Sequence, residues 1–210
     1  MSGRRILFAG TPGFALASLR ALYDSGIIPL AVFTQPDRPA GRGRKVKASP
    51  VKEFALRENI VVRQPESLKD TDVINEISDL QADLIIVAAY GSILPQVILD
   101  LPKHGCLNVH ASLLPRWRGA APIQAAILAG NKETGISLMQ MIAGLDRGPI
   151  FAQQTVRIGE METAGELHDR LALLGGGLLC EHLSDILDGK IQPEPQDESS
   201  ANYAGKIRKN

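Results

Sequence analysis

Asp83-Leu84-Ile85-Ile86-Val87-Ala88-Ala89 decides how this chain folds. Successive side chains of a strand point to opposite faces. The run from Leu84 to Ala88 is apolar without a break, so neither face is polar. A strand of this kind is covered on both sides, as in a parallel sheet. Towards the N-terminus, Ile6-Leu7-Phe8-Ala9 reads the same way and ends in the turn Gly10-Thr11-Pro12-Gly13. Helical spacing follows from Phe14 to Tyr23. Leu30 to Thr34 is a strand and Gln35 to Ser49 a long polar loop. Ser49 then caps a helix that has Pro50 at its first position and ends near Asn59. Ile60-Val61-Val62 is a short strand, and Thr71 to Leu80 a helix.

Towards the C-terminus the alternation continues. A helix at Gln96 to Leu99 precedes a strand at Cys106 to His110, and Pro122 to Ala129 is helical. Thr134 to Ile142 and Ile150 to Ile158 form a strand pair around the turn region Gly144 to Gly148, and Thr163 to Leu187 is a long helix. Strands alternating with helices specify an α/β, doubly wound, mostly parallel sheet. That domain is expected over residues 1–189. Beyond Gly189 the chain turns polar, Gln192-Pro193-Glu194-Pro195-Gln196-Asp197-Glu198-Ser199-Ser200, and ends in a basic stub from Lys206. Residues 190–210 therefore read as a linker or tail toward a further domain.

Composition narrows the function less than it narrows the class. With 44% hydrophobic and 22% charged residues, the chain has the balance of a soluble globular protein. Its formal net charge is zero, so a nucleic-acid partner has to show itself through local clustering. Cys106 and Cys180 stand apart with no metal-ligand spacing, which favours a reduced, cytoplasmic setting. No apolar run approaches the roughly 18 residues of a membrane span, and no membrane association is expected. Nothing in the polar tail marks an interface, and a monomer is expected.

The chemistry concentrates in Asn108-Val109-His110-Ala111-Ser112-Leu113-Leu114-Pro115. Alternation puts Asn108 and His110 on one face of the strand, with Leu107 and Val109 on the other, where they can pack on a helix. Polar groups at the C-terminal end of a parallel strand lie where open α/β sheets bind ligands. Asn108 offers an amide donor, and His110 donates as imidazolium or exchanges a proton. An acyl-transfer step calls for such donors, each worth roughly 3–4 kcal/mol when aimed at the oxyanion. A carboxylate beside the imidazole would orient it and favour its charged form. Asp146 lies in the glycine-flanked loop Gly144-Leu145-Asp146-Arg147-Gly148, but spacing alone does not carry it to the site. Taken singly, Asn-x-His is as easily a satisfied structural pair, and Asp146 a turn residue.

Taken together, Asn108-x-His110, Ser112-Leu113-Leu114-Pro115 and the later Asp146 resemble the folate-dependent formyltransferase family. The likeness extends to Phe8-Ala9-Gly10-Thr11-Pro12, Phe33 to Gly43, Ser49-Pro50-Val51-Lys52, Ala89-Tyr90-Gly91 and Leu114 to Gln124, and so to essentially the whole chain. The resemblance implies a Rossmann-like formyltransferase fold with Asn108, His110 and Asp146 as catalytic residues and no metal. It implies a folate site at Ser112, Leu113, Leu114, Pro115, Tyr90 and Gly91, with 10-formyltetrahydrofolate as formyl donor. The loop from Asp37 to Lys52 and the segment from Arg116 to Gln124 favour the branch that formylates methionyl-initiator tRNA. In that branch the loop enters the acceptor-stem end of the tRNA, with Arg42 as a main contact.

That loop gathers Arg38, Arg42, Arg44, Lys45, Lys47 and Lys52 on an otherwise neutral chain, and Gly41 and Gly43 give it freedom. A mobile basic loop suits a polyanion, and a solvated surface loop is the plain alternative. Three departures from the family pattern bear on the site. Gly13 stands where an acid is usual. Ala111 stands where glycine is common, which would add about 1 kcal/mol of strain if that backbone had positive φ. Arg147 and Pro149 replace a threonine and an acid after Asp146. Two rival readings remain: a formyltransferase acting on a small amine, such as an amino-sugar nucleotide or glycinamide ribonucleotide, and a non-catalytic Rossmann-like nucleotide-binding module. Only Gly10-Thr11-Pro12-Gly13 hints at the latter, without the Gly-x-Gly-x-x-Gly spacing.

Overall fold

In the computed structural model, residues 3–40 and 45–207 are described. The chain divides into two compact units, Met1–Cys106 and Leu107–Asn210. The first is built on four strands: β1 (Ile6–Gly10), β2 (Ala31–Phe33), β5 (Val62–Arg63) and β6 (Leu84–Ala88). They lie in the order β6-β1-β2-β5, and every pairing is parallel. All five residues of β1 and of β6 are buried, so both faces of these strands are covered, as the unbroken apolar runs require. Helices α1 (Gly13–Asp24), α2 (Pro50–Arg57), α3 (Thr71–Asp79) and α4 (Gln96–Leu99) supply the cover. The architecture is the α/β, doubly wound one expected.

Local chemistry accounts for the helix boundaries. Ser49 accepts from the Lys52 backbone N–H at 3.0 Å, with Pro50 in the first turn of α2. Gly10 needs its missing side chain. A Cβ there would sit 2.6 Å from that of Ala15 and 2.9 Å from the Ala88 carbonyl oxygen. The glycine therefore lets α1 approach the strands closely. The polar stretch Gln35–Ser49, expected as an irregular loop, carries two short antiparallel strands, β3 (Arg38–Ala40) and β4 (Lys45–Lys47). Pro39 and the cationic residues hide them from a pattern reading.

The second unit holds β7 (Cys106–His110), β8 (Arg118–Gly119), α5 (Pro122–Leu128), β9 (Glu133–Gln140), β10 (Ile150–Arg157) and α6 (Ala164–Leu187). Strand β9 runs antiparallel to both β7 and β10. Thr163 and Glu166 cap α6 reciprocally. Gly175 lets this helix close onto the strands, because a Cβ there would lie 2.9 Å from Val109 Cγ1. Val109 thus packs on a helix, as its place on the strand predicts.

Residues 190–204, read from the sequence as linker, are knit into this unit. Ile150 and Glu194 exchange two backbone hydrogen bonds of 2.8 Å. A 3-10 turn at Glu198–Ser200 leads to β11 (Tyr203–Ala204), which pairs parallel with β8. Arg118 is fully buried and donates to Gln196 Oε1 and to both carboxylate oxygens of Glu198. Glu198 also accepts from Arg147 at 2.9 Å. These two guanidinium groups hold the Glu198 carboxyl well down, from 4.5 to about 2. A group whose pKa falls on folding contributes stability that is complete above its unfolded value and is lost as pH falls through its folded value. The melting temperature of the wild type is therefore expected to exceed that of Glu198→Gln at neutral pH. The gap should close between about 4.5 and about 2 in a pH series of thermal melts. A gap independent of pH would mean that the ion pair is not its source.

Candidate active site

The last residue of β7 opens the site. Asn108 and His110 lie on one face of the strand, and both are buried. Asp146 reaches them from the loop between β9 and β10. Its Oδ1 is 3.5 Å from Asn108 Nδ2, and its Oδ2 is 3.8 Å from His110 Nδ1. The Asp146 side chain is 13% exposed, so its charge is largely out of water and needs donors. One comes from the Gly119 backbone N–H, which donates to Oδ2 at 2.8 Å. Asp146 sits at φ 51°, in the left-handed region where aspartate is among the few tolerated side chains. Gly144 (φ 118°) takes the sharper turn ahead of it. A Cβ on Gly148 would collide with the Gln140 carbonyl.

The His110 proton arrangement follows from its other nitrogen. Nε2 lies 3.0 Å from the Trp117 carbonyl oxygen, and a carbonyl only accepts. Nε2 therefore carries the hydrogen. Nδ1, which faces Asp146, is bare in the neutral ring and protonated only in the imidazolium. Asp146 Oδ2 lies 3.8 Å from it. Trp117 turns its carbonyl inward from a positive φ of 58°, and its indole N–H donates to Asn131 at 2.8 Å. The indole thus packs the loop. The concern over Ala111 does not apply, because Ala111 is not among the positive-φ residues and is simply buried.

The segment 112–115 is shaped mainly from within. Ser112 Oγ donates to the Arg116 carbonyl at 2.6 Å, and the Leu114 N–H donates to Ser137 Oγ at 3.0 Å. Ser112 and Leu114 are buried, and Leu113 and Pro115 half-buried. The hydroxyl of Ser112 is therefore committed to the turn. Any ligand contact along this stretch falls to its backbone, Leu113 and Pro115.

In the first unit, Tyr90 and Gly91 follow the C-terminal end of β6. Thr11 Oγ1 donates to the Tyr90 carbonyl at 2.8 Å, and Gly91 adopts φ 89°. Tyr90 lines a cavity of about 310 Å³ with Pro65, Leu68, Ser92, Ile93 and Pro95. That volume is at the small end for organic ligands. Burial pushes the Tyr90 phenol up to about 12, and its hydroxyl is buried without a partner among the described residues. The basic loop is anchored at its base: Asp37 pairs with Lys52 at 2.6 Å and accepts from Gln64 at 2.7 Å. Both hold its carboxyl below the usual carboxylate range. Exposed Arg38 and Lys47 are register partners across β3 and β4, and Lys45 lies in β4. Arg42 and Arg44 lie outside the described residues. No three His, Cys, Asp or Glu side chains gather as a metal site among the described residues.

An amide, an imidazole and a carboxylate thus meet around one point. The formyl transferase family matches residues 4–183, and the chain belongs to that family. Methionyl-tRNA formyltransferase of Halorhodospira halophila is 56% identical over 203 residues, which are 97% of this chain and 65% of that protein. The chain thus spans just under two thirds of that relative. Two solved structures share the fold. One is an N-formyltransferase from Helicobacter canadensis in complex with folinic acid and dTDP-3-aminofucose, with a TM-score of 0.76 and 20% identity over 97% of this chain and 71% of that one. The other is glycinamide ribonucleotide transformylase 1 from Symbiobacterium toebii, with a TM-score of 0.73 and 21% identity over 91% and 93%.

Sequence reasoning passed over the Trp117 carbonyl, the Gly119 N–H and Gln196. The first two lie inside the segment Arg116 to Gln124 that the family likeness singles out. Nothing in the pattern around Gln196 marks it. For Tyr90, an unpartnered buried hydroxyl contributes nothing to stability. Tyr90→Phe is expected to leave the urea midpoint unchanged or to raise it. A loss above about 1 kcal/mol would mean that the hydroxyl has a partner in solution.

Proposed function

We propose that this chain is the catalytic part of an enzyme that moves a formyl group from 10-formyltetrahydrofolate to the amino group of methionyl-initiator tRNA. The observation that carries the reading is the meeting of Asn108, His110 and Asp146. It is supported by 56% identity to a methionyl-tRNA formyltransferase. Among the described residues no helix is long and apolar enough to cross a membrane, which is compatible with a freely diffusing tRNA substrate.

The formyl donor fits the residues present. A solved relative of the same fold is described in complex with folinic acid, a folate derivative. The cavity beside Tyr90 offers apolar walls from Pro65, Leu68, Ile93 and Pro95. When bound, 10-formyltetrahydrofolate supplies an electrophilic formyl carbon. Asn108 and imidazolium His110 then donate to the oxygen on which charge collects as the methionyl amine attacks. Asp146, facing His110 Nδ1, takes a proton from the attacking nitrogen, directly or through a water. Collapse breaks the bond from the formyl carbon to the folate nitrogen, which receives a proton. The new amide and tetrahydrofolate leave.

The nucleotide-binding alternative loses its basis, since Gly10 serves close packing and the chain is a formyl transferase family member. The small-amine alternative lacks a use for the cationic strands Arg38–Ala40 and Lys45–Lys47.

Two measurements test the proposal. Asp146→Ala is expected to lower turnover by roughly 10²–10⁴-fold with folate affinity nearly unchanged. Turnover close to wild type would remove Asp146 from the mechanism. Affinity for methionyl-initiator tRNA is expected to fall steeply with salt, and Arg42→Ala to reduce the log–log slope by about one. A flat salt response would point to a small amine as substrate.

A further inference from the structure

Gln196 lies 50 residues after Asp146 in the chain, yet one side chain amide connects both supports of that carboxylate. Its Nε2 donates to the Asp146 carbonyl at 2.9 Å and to the Gly148 carbonyl at 2.6 Å. It thereby closes the turn Asp146-Arg147-Gly148 from both ends. Its Oε1 accepts from Arg118 Nε at 3.1 Å and Nη2 at 2.7 Å. Arg118 is followed by Gly119, whose N–H holds Asp146 Oδ2. The two donors and two acceptor positions of a glutamine amide are all used. The same amide thus restrains the backbone that carries Asp146 and the strand that receives its carboxylate.

We infer that Gln196 is a positioning residue for Asp146, so that the segment following α6 completes the active site. The inference rests on the reading of Asp146 as the carboxylate of the transfer step. Asp146 occupies a left-handed backbone, which aspartate tolerates at some cost and which its surroundings hold in place. Gln196 supplies that restraint by occupying the carbonyls of Asp146 and Gly148. With the restraint removed, the loop can relax, and the carboxylate drifts from Gly119 and His110. A displacement of about an ångström in such a group can cost on the order of 10²-fold in rate.

Two substitutions separate positioning from mere structural support. Gln196→Glu keeps an acceptor for Arg118 and adds charge complementarity to it. It also sets a second oxygen against two carbonyls, where nothing remains to donate. A residue whose only task was to satisfy buried Arg118 would tolerate this change. Gln196→Met loses both functions. In the 210-residue chain, Gln196→Glu is expected to keep its melting temperature within a few degrees. Its turnover should fall roughly 10–100-fold with the KM for 10-formyltetrahydrofolate within about twofold. Hydrogen exchange of the Gly119 amide, which donates to Asp146, should speed up at least about tenfold in both variants.

Asp146→Ala/Gln196→Glu should turn over no more slowly than Asp146→Ala alone, since the second change acts only through the first residue. Wild-type turnover and wild-type Gly119 exchange in Gln196→Glu would overturn the inference. If Asp146→Ala is itself fully active, the reading of Asp146 fails instead. The clamp is then judged on Gly119 exchange alone, which does not depend on activity.

Discussion

The second unit is organised around the cost of keeping one carboxylate nearly dry. Asp146 has little access to water, and its nearest side chains, Asn108 and His110, stand at 3.5 and 3.8 Å. Neither contact is a strong hydrogen bond. The firm bond is the 2.8 Å one from the Gly119 N–H. Gly119 is able to give it because β8 is fixed by β11 on its other side, the Arg118 and Ala120 N–H groups donating to Asn202 and Ala204. A Cβ on Gly119 would lie 2.7 Å from the Ala204 carbonyl, so this close pairing also needs the glycine.

Arg118 extends the same logic one layer outward. A fully buried guanidinium is costly unless each donor is engaged and its charge is met. Glu198 meets the charge through Nη1 and Nη2, and Gln196 takes the Nε hydrogen and one from Nη2. Glu198 is itself half exposed, so the pair is anchored at the surface and its charge is shared with Arg147. The chain after α6 therefore acts as a strap across β8 and the Asp146 loop, and its polar composition reflects partners that are themselves polar.

What the sequence disclosed, and what it hid, follows from the range of the interactions involved. Strands β1, β6 and β7 are written in local alternation and unbroken apolar runs, and the shared face of Asn108 and His110 follows from a period of two. The cap at Ser49 is equally local. Asp146 is different: no periodicity links it to β7, and only the family likeness directed attention to it. Gln196 carried no signal, because its value depends on carbonyls 48 and 50 residues away. The pairing of Arg38–Ala40 with Lys45–Lys47 was hidden for a third reason. Proline and cationic residues are weak strand formers, and the pairing is stabilised at its base, where Asp37, Lys52 and Gln64 converge.

Bond lengths across the site also fall into two groups with different consequences. Outer contacts are short: Gly119 to Asp146, Trp117 to His110, and Gln196 to the loop carbonyls lie between 2.6 and 3.0 Å. Inner contacts, from Asn108 and His110 to Asp146, are long. A donor bound tightly to a resident carboxylate would have to break that bond to serve a forming oxyanion, and the cost would be added to the barrier. Donors held in direction by an outer frame, but loosely engaged within, can turn to new charge with little reorganisation, which is the condition for effective electrostatic stabilisation. In the proposed reaction the frame would supply the order, and the loose inner contacts would let Asn108 and His110 turn to the reacting oxygen.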